Sequence, residues 1–290
     1  MPEIDVSIIV LSYQSKLHLE VLLPSINEAV KGMSAETIIV DNGSSDGTKE
    51  WLVQKMNQGG EFQLISLADN LGFSKGNNLG IKEAKGKYIL LLNPDTKLSS
   101  DSLKVMLDFM EHHQEVGIGG CKLIKPDGTL DLACRRRFPN PWNSFKRLFL
   151  KNNKNYNYTD VDKNQDMEVD SIVGAFMMVR KSLIDKIGLL DEKFFMYGED
   201  LDLCWRCKEA GYKVWYHPKT IVIHYKGESS KKVSFKAFYW FHEAMWIFYK
   251  KHYAGNYPLI FNWMIWLGIH LRLLALVFIN IFRRKKFVSR

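Results

Sequence analysis

A chain of 290 residues with 46% apolar content is long enough for one large domain or two small ones around a real core, which excludes a disordered or fibrous protein. Its net charge of +8 is unevenly placed: from Lys226 onward twelve Lys and Arg stand against Glu228 and Glu243, a surplus of ten that leaves the first 225 residues about two charges negative. The basicity belongs to the tail.

In chain order, MPEIDVSIIVLSY places acids before its apolar run and has no basic leader, so it predicts a strand rather than a signal peptide, and with it a cytosolic protein. Residues 6–12 are that strand, followed by a helix at about 17–31. ETIIVDNGSSDGT repeats the scheme, with a strand ending at Asp41 and a helix over 46–57; FQLISL at 62–67, a helix over 74–85 and KYILLLN at 87–93 continue it. Strands that are apolar throughout and alternate with helices imply a mostly parallel sheet covered on both faces. Such sheets bind ligands at the carboxyl ends of their strands, where Ser12, Tyr13, Asp41, Asn42 and Asp95 all fall.

The second part is less regular. It predicts a helix near 100–113, a strand near 117–124, a strand running into a helix from Ser171, a turn into a helix at FFMYGEDLDLCWRCKEAGY, and two short strands around Pro218. Residues 135–156 carry no acid and many Pro, Asn and aromatic side chains, which reads as an irregular basic excursion, either a solvated loop or a partner for anionic lipid or nucleic acid. Cys121, Cys134, Cys204 and Cys207 form no secreted framework; Cys204 and Cys207 have redox spacing but fall inside a helical pattern, so packing is expected of them. An aromatic helix over 235–253 and an apolar segment, Leu259–Phe282, precede Arg283, Arg284, Lys285 and Lys286.

Taken singly the motifs say little: DNGSSDGT is an Asx-type turn with Asp46 or Ser45 capping a helix, NLGFSKGNNLG a glycine-rich loop, NPDT a turn. Their order is more specific. VSIIVLSY, VDNGSSDGT, NLGFSKGNN, YILLLNPDT, GAFMMVRK, GEDLDLCWR and IVIHYKG, spread over 6–227, resemble the elements of a family 2 glycosyltransferase with the GT-A fold, a Rossmann-like α/β architecture with a mostly parallel sheet flanked by helices. No G-x-G-x-x-G and no G-K-[ST] supports a dinucleotide or P-loop reading.

The resemblance implies a nucleotide-sugar donor whose leaving diphosphate is neutralised by a divalent cation, Mg²⁺ or Mn²⁺. The family's Asp-x-Asp turn corresponds to Asn93-Pro94-Asp95: Asp95 keeps the metal position, while Asn93 offers a neutral amide to a ribose hydroxyl, a form associated with rhamnosyltransferase-like members. It further implies that Asp41 accepts from N3–H of uracil or thymine, that Leu11, Ser12 and Tyr13 line the base pocket, and that Asn70, Gly72 and Gly76 bring backbone close to the nucleotide. Asp200 matches the base that takes the acceptor's proton in a single inverting displacement, while Asp202 is expected to serve the helix. His224 matches a position contacting metal or diphosphate, Lys226 can meet phosphate, and Trp205 and Arg206 are expected to pack on the acceptor side.

Leu259–Phe282 has 24 residues, where about 20 suffice to cross a bilayer. Arg272 near its middle costs about 2.5 to 3.5 kcal/mol, against roughly −0.3 to −0.6 for each of fifteen Leu, Ile, Phe and Val, so energy alone allows insertion. A single span would place the basic end away from a cytosolic catalytic domain, against the positive-inside tendency. The expectation is a helix, or broken helix pair, lying in the inner leaflet of the cell membrane with Trp263, Trp266 and the basic end at the headgroups; the alternative is a helix buried against the catalytic domain or a homodimer partner.

The chain thus reads as a catalytic domain, 1–228, and membrane-associating helices, 229–290. By resemblance, the expected activity is inverting transfer of L-rhamnose from dTDP-L-rhamnose onto a lipid-linked cell-surface polysaccharide, with no part for nucleic acid. The rivals are the same chemistry with a UDP-hexose or UDP-galactofuranose, and a catalytically silent nucleotide-sugar-binding scaffold, which the neutral Asn93 admits.

Overall fold

A computed structural model describes residues 4–141, 156–225 and 235–282. The chain runs β1 (Val6–Ser12), α1 (Lys16–Ala29), β2 (Ala35–Asp41), α2 (Thr48–Asn57), β3 (Gln63–Ser66), α3 (Phe73–Glu83), β4 (Tyr88–Leu92), β5 (Thr96–Leu98), α4 (Ser102–His112), β6 (Val116–Ile124), β7 (Met167–Val169), β8 (Phe176–Arg180), α5 (Lys181–Ile187), α6 (Glu199–Glu209), β9 (Lys213–His224), α7 (Phe235–His252) and α8 (Leu259–Phe282). Every residue of β1 and β4 is buried, as continuous apolar strands require when both faces of a sheet are covered.

The strands form one sheet in the order β3-β2-β1-β4-β8-β6-β9-β5, with β7 alongside β9. β1, β2, β3 and β4 are mutually parallel, and β6 is parallel to β9. β8 enters antiparallel between β4 and β6, and β5 and β7 run antiparallel to β9. The first half is therefore the parallel sheet that the apolar strands imply, and the second half is mixed. β9 is one strand rather than two: its pairing with β6 jumps from Cys121 opposite His217 to Lys122 opposite Ile221, so the segment holding Pro218 is absorbed as an irregularity.

α3 lies directly on the sheet because two glycines one turn apart remove side chains from its inner face. A Cβ on Gly76 would stand 2.5 Å from Leu11, and one on Gly80 2.6 Å from Ile9. Gly76 thus gives close helix–strand packing, and Leu11 is buried beneath it.

Beyond the main core, Phe194, Ala244 and Phe248 make a second apolar cluster with Phe138, Leu201, Trp205, Ile247 and Tyr253 that fastens α7 to α6. Asp202, wholly buried, completes the joint by accepting from Arg206 (2.8 Å), Lys251 (2.7 Å) and His252 (2.8 Å). Burial works against its charge, but these partners prevail and hold the carboxyl down at about 2. Arg206 also donates to the carbonyls of Ile187 and Leu189. The four cysteines are free and buried; burial pushes the Cys204 thiol up to about 12, as suits a packing role.

α8 folds back on α7, with the Tyr249 hydroxyl donating to Asn262 and Arg272 meeting His242 at 2.6 Å. Ile269 and Asn280 are its buried residues, whereas Leu259, Trp263, Leu274 and Phe278 are more than half exposed. Among the described residues it is the one helix long and apolar enough to cross a membrane.

Candidate active site

β1 and β2 end side by side, with Ser12 level with Asp41. Asp41 is wholly buried. Its Oδ2 accepts from the Ser44 N–H at 3.2 Å, but Oδ1 has no partner among the described residues, and neither does the buried Ser12 hydroxyl. An unsatisfied buried acceptor costs about 1–3 kcal/mol, more when charged, so two neighbouring orphans at strand ends point to a ligand that supplies the missing partners. Tyr13 beside them is 44% exposed. In the loop that follows, Asp46 accepts from the Thr48 N–H and hydroxyl, so the Asx turn forms as the sequence predicts, although Gly47 rather than Asp46 or Ser45 is the residue preceding the helix.

Asn42 organises the next wall. Its amide donates to Asn70 Oδ1 (3.0 Å) and to the Gly72 carbonyl (3.2 Å), and its Oδ1 accepts from the Leu71 N–H (2.9 Å). Asn70 Oδ1 also takes the Gly72 N–H, so this side chain shapes its own loop. Gly72 has φ +87°, and a Cβ there would lie 2.6 Å from the carbonyl oxygen of Phe195; the adjacent Phe73 N–H donates to that oxygen at 2.6 Å. Asn42 is one of the residues that the sequence places at the carboxyl ends of the strands, and its N–H donates to the Ser12 carbonyl there at 2.8 Å.

The NPDT turn meets β9 because β5 pairs with it antiparallel, placing Thr96 opposite His224 and the Tyr225 N–H on the Asp95 carbonyl at 2.8 Å. His224 Nε2 lies 3.3 Å from Asp95 Oδ1, and its Nδ1 lies 2.9 Å from Asp131 Oδ2. The other Asp131 oxygen accepts from the Ala133 N–H. Burial disfavours the imidazolium, but its bonds to the two carboxylates prevail and push His224 up to about 9. Asp95 is likewise opposed by burial, yet the bond and charge of His224 hold it below its ordinary range. Asn93 uses its backbone to close the turn, donating to the Ala175 carbonyl and accepting from the Thr96 hydroxyl.

Among the described residues no group of three or more His, Cys, Asp and Glu forms a metal cage. A cation met by a substrate diphosphate needs only one or two protein carboxylates, the phosphates and water supplying the rest. The donor set fits that case: Asp95 Oδ1 and His224 Nε2 face one another, and Asp131 orients the imidazole from behind, the arrangement that commonly supports a metal-ligating histidine. Lys226 lies outside the described residues.

On the other side, Tyr197 (φ 71°) and Gly198 (φ 84°) turn the chain sharply into α6; a left-handed tyrosine is strained. Asp200 Oδ2 receives Arg136 Nη2 at 2.8 Å, and Oδ1 receives the Leu201 N–H at 2.7 Å. Arg136 also donates to the Ile172 carbonyl. Glu199 is buried, its Oε2 has no partner among the described residues, and burial first, then the charge of Asp200, pushes its carboxyl well above the ordinary range.

Arg136 corrects the reading of the basic excursion. Arg135 is buried on the carbonyls of Val161 and Asp162, Arg136 holds Asp200, and Arg137 pairs with Asp160, so the start of that run is neither a solvated loop nor a lipid-facing patch. Residues 142–155 of it lie outside the described residues.

The model for Glycosyl transferase family 2 matches residues 7–188. The chain is 25% identical over 285 residues to the N-acetylglucosaminyl-diphospho-decaprenol L-rhamnosyltransferase of Mycobacterium tuberculosis, covering 89% of this chain and 88% of that one. It is 29% identical over 236 residues to Rhamnosyltransferase WbbL of Escherichia coli, covering 70% and 88%. Of solved structures, S. aureus TarS 1-349 in complex with UDP-GlcNAc aligns with a TM-score of 0.56 at 19% identity, covering 94% and 73%, a likeness of fold.

Proposed function

This chain belongs to glycosyl transferase family 2 and is a glycosyltransferase of the GT-A fold, and from that premise we propose that it transfers L-rhamnose from dTDP-L-rhamnose, with inversion, onto a lipid-linked glycan. The observation that carries the donor reading is the pair of orphans at the strand ends: Asp41 Oδ1 is an acceptor awaiting an N–H, which thymine and uracil possess at N3 and cytosine does not. The sugar and the lipid-linked acceptor rest on the likeness to the two rhamnosyltransferases.

In this proposal the acceptor hydroxyl oxygen attacks the anomeric carbon from the face opposite the diphosphate. Its proton passes to Asp200 as the glycosidic C–O bond forms, and the bond to the phosphate oxygen breaks with its electron pair leaving on dTDP. Arg136 fixes the orientation of Asp200, and Glu199, kept uncharged by burial, spares it a second adjacent negative charge. Asp95 and His224 would hold Mg²⁺ or Mn²⁺, which when bound neutralises charge on the leaving diphosphate. Asn93 would meet a ribose hydroxyl, and Lys226 the phosphates.

Thermal stabilisation and slow donor hydrolysis, measured across dTDP- and UDP-sugars with Mg²⁺ or Mn²⁺, test the donor. A ligand that binds the native state alone stabilises it by RT ln(1 + [L]/Kd), so dTDP-L-rhamnose is expected to give the largest rise in Tm. A response to a UDP-sugar with none to dTDP-L-rhamnose would replace the donor.

The division of labour in the proposal is a catalytic unit over 1–228 and a membrane-associating one over 229–290; the bare apolar face of α8 supports the membrane role, while α7 is locked onto α6 of the catalytic unit and anchors α8 to it. Its place is the inner face of the cell membrane, with α8 lying in the interface. Deleting 257–290 is expected to move the protein from washed membranes to the soluble fraction; a truncated protein that stays in the membranes would end this assignment.

A further inference from the structure

Beside the start of α6 lies a cavity of about 420 Å³, walled by Gly198 and Leu201 on one side, by Phe241 and Phe248 of α7 on another, and by Gly268 and Arg272 of α8 on the third. Its volume falls within the roughly 300–1,000 Å³ of small-molecule sites. The lining is apolar and aromatic apart from a few polar atoms, and among the described residues Arg272 is its one charged side chain. His242 Nδ1 lies 2.7 Å from the Phe238 carbonyl and Nε2 lies 2.6 Å from Arg272, so a neutral imidazole aims the guanidinium.

We propose that this cavity holds the hydrocarbon chain of the lipid-linked acceptor and that Arg272 meets the phosphate joining chain to glycan. The inference rests on the acceptor class proposed above and deepens it. Three observations carry it. An apolar hollow with a single guanidinium complements an amphiphile with one anionic head, since guanidinium matches phosphate oxygens in pairs. The hollow lies between α8, whose outer face is bare and apolar, and Gly198, two residues before Asp200, so a lipid taken from the bilayer side brings its head toward that carboxylate. Gly268 also behaves unlike the glycines of α3: a Cβ built on it meets nothing within 4 Å. A helix interior disfavours glycine, and here the missing side chain leaves room instead of allowing close packing.

The test uses the full chain in lipid nanodiscs with farnesyl phosphate carrying a photoactivatable diazirine at its far end, the labelled peptides being identified by mass spectrometry. Label is expected on the cavity-facing residues of α7 and α8 and is displaced by unlabelled farnesyl phosphate, but not by inorganic phosphate. Arg272→Gln should weaken that competition about tenfold, the loss of one charged hydrogen bond. Gly268→Leu, which fills the hollow, should lower labelling about tenfold, with nucleotide binding kept as the check on folding. Label scattered over Leu259, Leu274 and Phe278 without displacement means bilayer partition alone and overturns the site, as does farnesol competing as well as its phosphate in the wild-type chain. Specific label with no transfer to any lipid-phosphate acceptor leaves the site standing and overturns the proposed function. Transfer to a polyprenyl-linked acceptor at the wild-type rate by Gly268→Leu does the reverse.

Discussion

Asp200→Asn is expected to slow sugar transfer about 10²- to 10⁴-fold, the range supplied by a positioned general base, while donor affinity stays where it is. The separation follows from the geometry. Asp200 belongs to α6 and is fixed by Arg136, whereas the orphan atoms proposed to meet the nucleotide stand at the ends of β1 and β2. An amide keeps the shape of the carboxylate and leaves Arg136 its bond to the Ile172 carbonyl, so the fold should hold. The measurement pairs transfer kinetics with equilibrium binding of the donor. Transfer at the wild-type rate would remove Asp200 from the chemistry, and a joint loss of binding and transfer would make it a structural residue.

The second large effect is expected at Asp95. Asp95→Asn removes the carboxylate at the NPDT turn and should lower kcat/KM about 10²- to 10³-fold, the scale of losing one group that stabilises developing charge, with Mn²⁺ no longer improving donor binding. His224 sharpens the test through its proton. Because the free imidazole is held at about 9, offering Nε2 to a cation displaces a proton at every pH below that, and metal affinity should climb about tenfold per pH unit from 6 toward 9 before levelling. His224→Gln should flatten the climb. A wild-type Mn²⁺ affinity independent of pH would take His224 out of the metal position and leave it as the cation that holds Asp95 in place.

The placement of Ser12, Asp41 and Asp95 was legible because each follows an apolar run too long and too continuous to be anything but a buried strand, and the chain must leave such a strand at its carboxyl end. Asp200 was singled out by the family resemblance of GEDLDL, and the structure places it in the first turn of the helix that Gly198 opens. Asp131, Arg136 and Phe195 were not. Asp131 reaches His224 only because β6 and β9 are neighbours in the sheet, a pairing that neither segment announces. Arg136 sat in a run with no acid, and counting charge along a sequence cannot distinguish an arginine that faces water from one whose partner lies 64 residues away. Phe195 acts through its carbonyl oxygen, which carries no trace of its identity. The strands β5 and β7 have three residues each, too few for a period of two to show, and β9 reads as two strands because Pro218 interrupts the pattern that pairing with β6 bridges.

The strand order has a consequence for how the protein is made. β4, five apolar residues in the middle of the sheet, lies between β1 and β8, and β8 begins only at Phe176. A ribosome therefore delivers the ends of β1 and β2, the proposed nucleotide site, early, yet leaves one edge of β4 open until more than eighty further residues have followed. An open, apolar strand edge invites pairing with another chain. Asp200 and then His224, the proposed base and metal ligand, arrive later still, so a half-made chain has an exposed edge and lacks both, until the insertion of β8 covers that edge.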